Sequence, residues 1–201
     1  RACADFEFHG FYAALHTFCA VELSAFYFDI RKDSLYCDRP DSKRRRAART
    51  MMDTLFSCLT AWLAPVLVFT AEEAWLARHG EEPKGVAESV HLRTVPEAPA
   101  AWRDDQLAEK WERVRTIRRV VTGALEKERA EKRIGASLEA APTVHVDSED
   151  YALCNSVEFA EVCITSAIDL SPMPPPDDAF TLPDVPGAAE APAPAKSAKS
   201  P

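Results

Sequence analysis

Six cysteines, Cys3, Cys19, Cys37, Cys58, Cys154 and Cys163, occur without a single CxxC pair and without regular spacing. A zinc ribbon and a disulfide framework are both poor readings of such a pattern, and reduced thiols in a cytoplasmic protein are expected. No hydrophobic leader with a cleavage site opens the sequence. No run of about 18 apolar residues occurs, because Glu, Asp or Arg interrupts even the richest stretches. A membrane-spanning role is therefore not expected. Internal repeats are absent, and no pair of carboxylates sits at a spacing that implies acid/base hydrolysis.

What is present is ample for a core, with 47% hydrophobic residues in 201. That length suits one domain with a tail or a small appended unit. The net charge of −8 is unevenly distributed. Residues 147–201 hold ten acids and two lysines, whereas residues 1–146 balance at 22 basic against 22 acidic. Within that neutral part, residues 31–49 carry eight Arg/Lys against three Asp, and residues 72–109 carry nine acids against four bases. Local fields rather than the total steer a polyanion, so the basic segment competes on equal terms with the plainer reading of a solvated helix face.

The period of the apolar residues is helical for most of the chain. Phe8, Phe11, Leu15, Phe18, Leu23, Phe26 and Ile30 recur at steps of three to five, which predicts one long helix from Asp5 to about Leu35. Residues 37–41 read as a turn, with Asp41 or Ser42 placed to cap a second helix running to Ala64. That helix is expected to bury Met51, Leu55, Cys58, Leu59 and Trp62 and to break at Pro65. Thr70 and Glu73 have capping-box spacing for a third helix ending before Gly80. Pro83, Pro96 and Pro99 mark a crossover, and Asp104 opens a long helix with Leu107, Trp111, Val114, Ile117, Val121 and Leu125 on one side. After Gly135 the period changes. Thr143–Val146 alternates like a strand, residues 148–155 look like a capped short helix, and residues 162–168 are β-branched and strand-like. A mainly α architecture follows: a helical bundle over residues 1–135, a small β-α-β unit over 136–170, and a Pro/Ala/Asp-rich tail over 171–201 expected to be disordered.

Four strings share a resemblance. FYFDIRKDSLY (Phe26 to Tyr36), RRAART (Arg45 to Thr50), LAPVLVFTAEEAW (Leu63 to Trp75) and EKRIGASLEA (Glu131 to Ala140) are similar, in order and spacing, to the anticodon-binding region of the isoleucyl-tRNA synthetase family. The third is shared with the valyl and leucyl relatives, and the fourth is the most discriminating for isoleucine. The resemblance implies an anticodon-binding helical bundle lacking the family's first helix, binding to the anticodon stem-loop of isoleucine tRNA, and a parent enzyme that uses ATP with magnesium and carries a C-terminal zinc module. The family's HIGH-like and KMSKS-like ATP signatures are absent from this chain. It is thus expected to be a C-terminal piece of a larger ligase, without a catalytic residue, bound cofactor or metal of its own, and monomeric.

Aromatic rings alternating with Arg and Lys are also what a surface gripping single-stranded RNA needs. Lys32, Arg45 and Arg46 flank one turn and are the first candidates for phosphate or base contacts, with Arg31, Tyr36 and Arg49 beside them. Arg44 and Arg49 fall beside, not on, the family's paired arginines. The competing reading pairs the bases with Asp29, Asp33 and Asp41. Tyr27 is assigned to the core with its hydroxyl at the rim. Arg115, Arg118 and Arg119 are assigned to pairing with the acidic 72–109 segment, while Trp62, Trp75 and Trp111 are assigned to the core. The alternatives kept open are the valyl relative and a helical scaffold whose basic turn serves an acidic protein.

Overall fold

A computed structural model describes residues 5–80 and 89–191. The chain forms two compact units, divided between Trp102 and Arg103. The change of period near residue 135, where the sequence places the domain boundary, instead falls inside the second unit.

The first unit is helical. α1 (Phe8–Thr17) continues into a π-helical stretch, Phe18–Phe28, in which the backbone turns are wider than in an α-helix. The one five-residue step in the apolar series, Phe18 to Leu23, lies in this stretch, where a wider turn keeps both side chains on one face. The series faces inward as expected: Leu23 and Ile30 are buried and the phenylalanines are half-buried. Continuity to Leu35 is not found, because the helix breaks at Arg31 before the short α2 (Lys32–Tyr36).

α3 (Lys43–Leu63) begins at Ser42, whose hydroxyl accepts from the Arg45 N–H, and ends ahead of Pro65. Its buried residues are Ala48, Thr60 and Ala61, while Met51 is exposed. Small side chains let α3 seat closely, and the inward face is rotated from the one that bulk alone picks out. α4 (Val68–His79) starts two residues before Thr70. The capping box is therefore not used; Thr70 lies inside the helix. Gly80 terminates α4 at φ 86°, a conformation that costs glycine nothing.

Trp75, Ala64, Ala71 and Val90 form a core cluster joined by Phe56 and Leu76. Polar side chains strap the crossover onto it. The Glu72 carboxylate accepts from the Ser89 hydroxyl (3.0 Å) and the Val90 N–H (2.8 Å). Arg93 lies 4.4 Å over the Trp75 ring and donates to the Ser57 carbonyl and hydroxyl, both at 2.9 Å. The Trp62 indole N–H donates to the Pro96 carbonyl at 2.9 Å, so this ring is half-buried and bonded while Trp75 is the one fully in the core. Pro83 lies outside the described residues.

The second unit is built on α5 (Asp105–Ala130), capped by the Asp104 carboxylate on the Leu107 N–H at 2.9 Å. Val114, Ile117, Val120, Val121, Ala124 and Leu125 are buried. Leu107 and Trp111, at the start of the expected stripe, are exposed and half-buried respectively. Cutting Ile117 back to Ala would remove about 2–5 kcal/mol.

Four strands follow: β1 (Thr143–Val146), β2 (Asp169–Ser171), β3 (Phe180–Thr181) and β4 (Ala188–Ala191), in the order β2-β1-β4-β3. β1 and β2 are parallel, joined through α6 (Ser148–Asn155) and α7 (Phe159–Cys163), and β4 is antiparallel to both of its neighbours. The β-α-β unit is present, but residues 159–163 are helical and the second strand begins at Asp169, not at 162. Order also extends past Ser171, contrary to the composition. β4 pairs along the whole of β1, and Val185, Ala188, Ala189 and Glu190 are buried. Small alanines satisfy the ladder where a bulkier strand would not fit under α5. Residues 192–201 lie outside the described residues.

Charged groups reinforce this arrangement. The Arg113 guanidinium is bidentate on the buried Asp150 carboxylate, with Nε to Oδ1 at 2.9 Å, and also reaches the Pro186 carbonyl. Arg118 donates to the Val162 carbonyl at 2.8 Å, and Arg119 pairs with Asp184 at 2.7 Å. These contacts of Arg118 and Arg119 thus lie at Val162 and Asp184 in the second unit, whereas the charge pattern pointed to the 72–109 stretch. Glu131 to Ala140 forms the elbow between α5 and β1. Lys132 sits at φ 58°, Arg133 pairs with Glu128 and Glu131, and the Gly135 N–H donates to the Glu139 carboxylate at 2.8 Å.

Two outcomes test this packing. A Cβ built on Gly123, mid-helix in α5, would lie 2.9 Å from the Phe180 ring. Gly123→Ala should therefore lose the helix-propensity gain of about 1 kcal/mol in the natural chain and recover it in a Phe180→Ala background; chemical denaturation of all four variants reads this coupling. Glu190, buried in β4, has its carboxyl pushed up to about 7 by burial, with Glu128 adding to and Lys127 opposing the shift. The folded state then binds the proton more tightly than the unfolded chain. Stability should fall as pH rises from about 4.5 to about 7, and Glu190→Gln should flatten that slope in melts taken across this range.

Candidate nucleic-acid interface

The reversal from α2 into α3 is closed by hydrogen bonds centred on Asp38. Its carboxylate accepts from the Ser42 hydroxyl at 2.9 Å and lies 3.9 Å from Arg44 Nε. Its carbonyl accepts from Arg45 Nη1 at 2.7 Å. The Arg45 side chain is folded back along the turn and half-buried, and its Nε is buried without a partner among the described residues. Arg45 is therefore a strut of the turn. Lys32 pairs with Asp29 at 2.6 Å, and this hydrogen bond raises its ammonium above the usual lysine range. For these two residues the structure supplies local partners of the kind that the plainer reading of the charge pattern required.

Arg46 and Arg49 behave differently. Both are exposed on α3, and neither makes an ion pair or side-chain hydrogen bond with any described residue. Arg39, Arg44, Arg78, Arg103, Arg119 and Arg133 all have carboxylate partners. Along α3 the pairs 46/49, 46/50, 49/53, 50/53 and 53/56 stand three or four residues apart, so these five share one helix face. That face forms one wall of an open groove of about 590 Å³, with Met52 beside it and Arg78 from the last turn of α4 opposite. Arg78 is held by Asp53 at 3.0 Å across the groove.

Around the reversal, Arg31 is half-buried, with its carbonyl accepting from the Ser34 hydroxyl at 3.0 Å, and Tyr36 stands 83% exposed at the end of α2, where a ring can stack on a splayed base. Tyr27 is half-buried and its hydroxyl is pushed above the usual range by burial, in keeping with a core ring whose hydroxyl lies at the rim. Of the six residues singled out in the sequence, the structure brings Arg46 and Arg49 into one groove. Arg78 was missed because it lies 29 residues beyond Arg49 and outside the basic run; its only local signal is a base in the last turn of a helix.

Among the described residues, no group of three His, Cys, Asp or Glu side chains is placed to hold a metal ion, and the five described cysteines are free thiols. Cys154 is pushed up to about 12 by burial, and the likewise buried Cys163 is pushed up as well, which leaves both inert at neutral pH. One helical stretch, Phe8–Phe28, is 21 residues long and apolar enough in composition to cross a bilayer, with Glu22 near its middle.

Residues 1–145 match the family model described as the anticodon-binding domain of tRNA ligase. The isoleucine–tRNA ligase of Agrobacterium fabrum is 56% identical over 181 residues, which cover 90% of this chain and 18% of that protein. That of Brucella abortus is 56% identical over 197 residues (96% and 20%), and that of Ruegeria pomeroyi 55% over 188 (93% and 19%). The chain spans about a fifth of the length of the curated relatives it matches. With a helical first unit, an exposed basic groove and a family match over nearly three-quarters of its length, the chain belongs to the anticodon-binding domains of tRNA ligases and matches the corresponding region of isoleucine–tRNA ligases.

Proposed function

We propose that this chain binds the anticodon stem-loop of isoleucine tRNA as part of an isoleucine–tRNA ligase, which joins isoleucine to its tRNA at the expense of ATP. The observation that carries this reading is the pair Arg46 and Arg49, exposed on one helix face without a carboxylate among the described residues. Arginine holds phosphate oxygens through two parallel N–H donors and stacks on unpaired bases, so such a pair is suited to a single-stranded loop. Tyr36, Arg31 and Lys32 at the neighbouring reversal add a stacking ring and further charge, Lys32 by exchanging Asp29 for a phosphate, and the surplus of five positive charges over residues 31–49 draws the polyanion towards them.

Binding here reads tRNA identity at a distance from aminoacyl transfer. The remainder of the ligase is the intramolecular partner, the assembly is monomeric and cytoplasmic, and ATP with magnesium and a zinc module belong to other parts of the longer polypeptide. The residues described here supply no metal site and take no part in adenylate formation.

Replacing Arg46 and Arg49 together by Ala in the full-length protein should weaken binding of isoleucine tRNA by about 1–3 kcal/mol for each lost contact and reduce the salt dependence of binding, since fewer counterions are released. Stability should move by no more than about 0.5 kcal/mol per site. Arg45→Ala should do the reverse: a stability loss of about 1–2 kcal/mol from the opened turn, seen in denaturant titration. Equal affinity for isoleucine and valine tRNA, or no response to the double substitution, would return these arginines to a merely solvated face.

A further inference from the structure

We infer that the groove between α3 and α4 is a subsite for one unpaired nucleotide of single-stranded RNA, and that Asp53 occupies the place of its phosphate in the free protein. This rests on the RNA-binding reading above and assigns it a particular place and a competitor. The groove combines two kinds of surface. Arg46, Arg49 and Arg78 bring three guanidinium groups against the single carboxylate of Asp53, while Met52 and Phe56 supply apolar surface. Its volume of about 590 Å³ falls within the range of small-ligand sites, about 300–1,000 Å³.

Rigid elements carry the parts. Phe56 packs on the Trp75 core cluster with its ring 6.4 Å from that of His79, so the apolar part of the α3 wall is held from behind. Arg46 and Arg49 lie one turn apart on a helix of 21 residues. Opposite them, Arg78 is the one arginine of the groove with a carboxylate partner among the described residues, and that partner projects from the same α3 face as Arg46 and Arg49. Arg78 Nη2 thus donates to one anionic oxygen, Asp53 Oδ1 at 3.0 Å, a position that a phosphodiester oxygen can take instead. Both side chains are more than half exposed, so the pair is readily exchanged for a stronger one. A phosphate entering between Arg49 and Arg78 displaces Asp53, and the attached base lies against Phe56 and Met52. The cost of this displacement makes Asp53 a specificity device: a polyanion with a single charge in the groove gains little, whereas an RNA strand that also engages Arg46 overcomes it.

The test is a cycle of Asp53→Asn, Arg78→Ala and the double variant in the full-length protein, with binding of an anticodon stem-loop RNA measured over a range of salt and thermal melts confirming the fold. Asp53→Asn should tighten binding several-fold at low salt, the gain shrinking as salt rises. Arg78→Ala should weaken it about tenfold, and Asp53→Asn should give no gain once Arg78 is gone. If Arg46→Ala weakens RNA binding while Asp53→Asn and Arg78→Ala leave it unchanged, the subsite is wrong and the RNA reading stands. If the unmodified protein fails to bind the stem-loop, both are wrong. Displacement of the RNA by polyglutamate as effectively as by unlabelled stem-loop would assign the groove to an acidic peptide and overturn the inference.

Discussion

The contact on which the candidate interface depends is the hydrogen bond from Arg45 to the Asp38 carbonyl. A chain reversing between two helices must satisfy the polar groups of its turn, and here one aspartate serves the Ser42 hydroxyl through its carboxylate and Arg45 through its backbone. The start and azimuth of α3 follow from this closure. With Arg45 turned inward, Arg46 and Arg49 emerge on the outer face a turn apart. The two neighbouring arginines thus do different work: Arg45 donates from Nη1 to the Asp38 carbonyl, while Arg46 stands on the exposed face.

The second unit solves a separate problem, how to keep the long apolar face of α5 out of water. Its answer draws on the acidic end of the chain. Asp150 and Asp184 take the guanidinium groups of Arg113 and Arg119, and β4 completes a sheet whose Val144 and Val146 are buried. The net negative charge of residues 147–201 is in part the counter-charge of α5. An acidic segment in a nucleic-acid-binding chain is thus compatible with the basic groove of the first unit, since its charges are partly spent within its own unit.

Much was legible in the sequence because it is local. The three-to-four-residue period marked the helices, Asp104 marked the start of α5, the alternation of Thr143–Val146 marked β1, and the four family strings identified the anticodon-binding domain. What was not legible depends on distant partners. The strands beyond Ser171 read as a tail because their alanines and prolines bury little by themselves; they are ordered because β1 offers a free edge. The Thr70 capping box was locally sound and lost to a helix start two residues earlier, with the neighbouring Glu72 engaged by Ser89 and Val90. The discriminating string at Glu131–Ala140 is an elbow whose polar side chains bond its own turn.

For the candidate site the division is the same. Composition and spacing alone determined that residues 31–49 are strongly basic, that they flank a turn, and that aromatic side chains lie among them, because these are properties of consecutive residues. Which of those bases is available was decided by tertiary structure. Lys32 and Arg45 are engaged by Asp29 and Asp38, Arg46 and Arg49 are exposed, and Arg78 arrives from another helix to complete the groove. The physical reason is that a charge is encoded by one residue, whereas its freedom to bind depends on every group the fold brings within hydrogen-bonding reach.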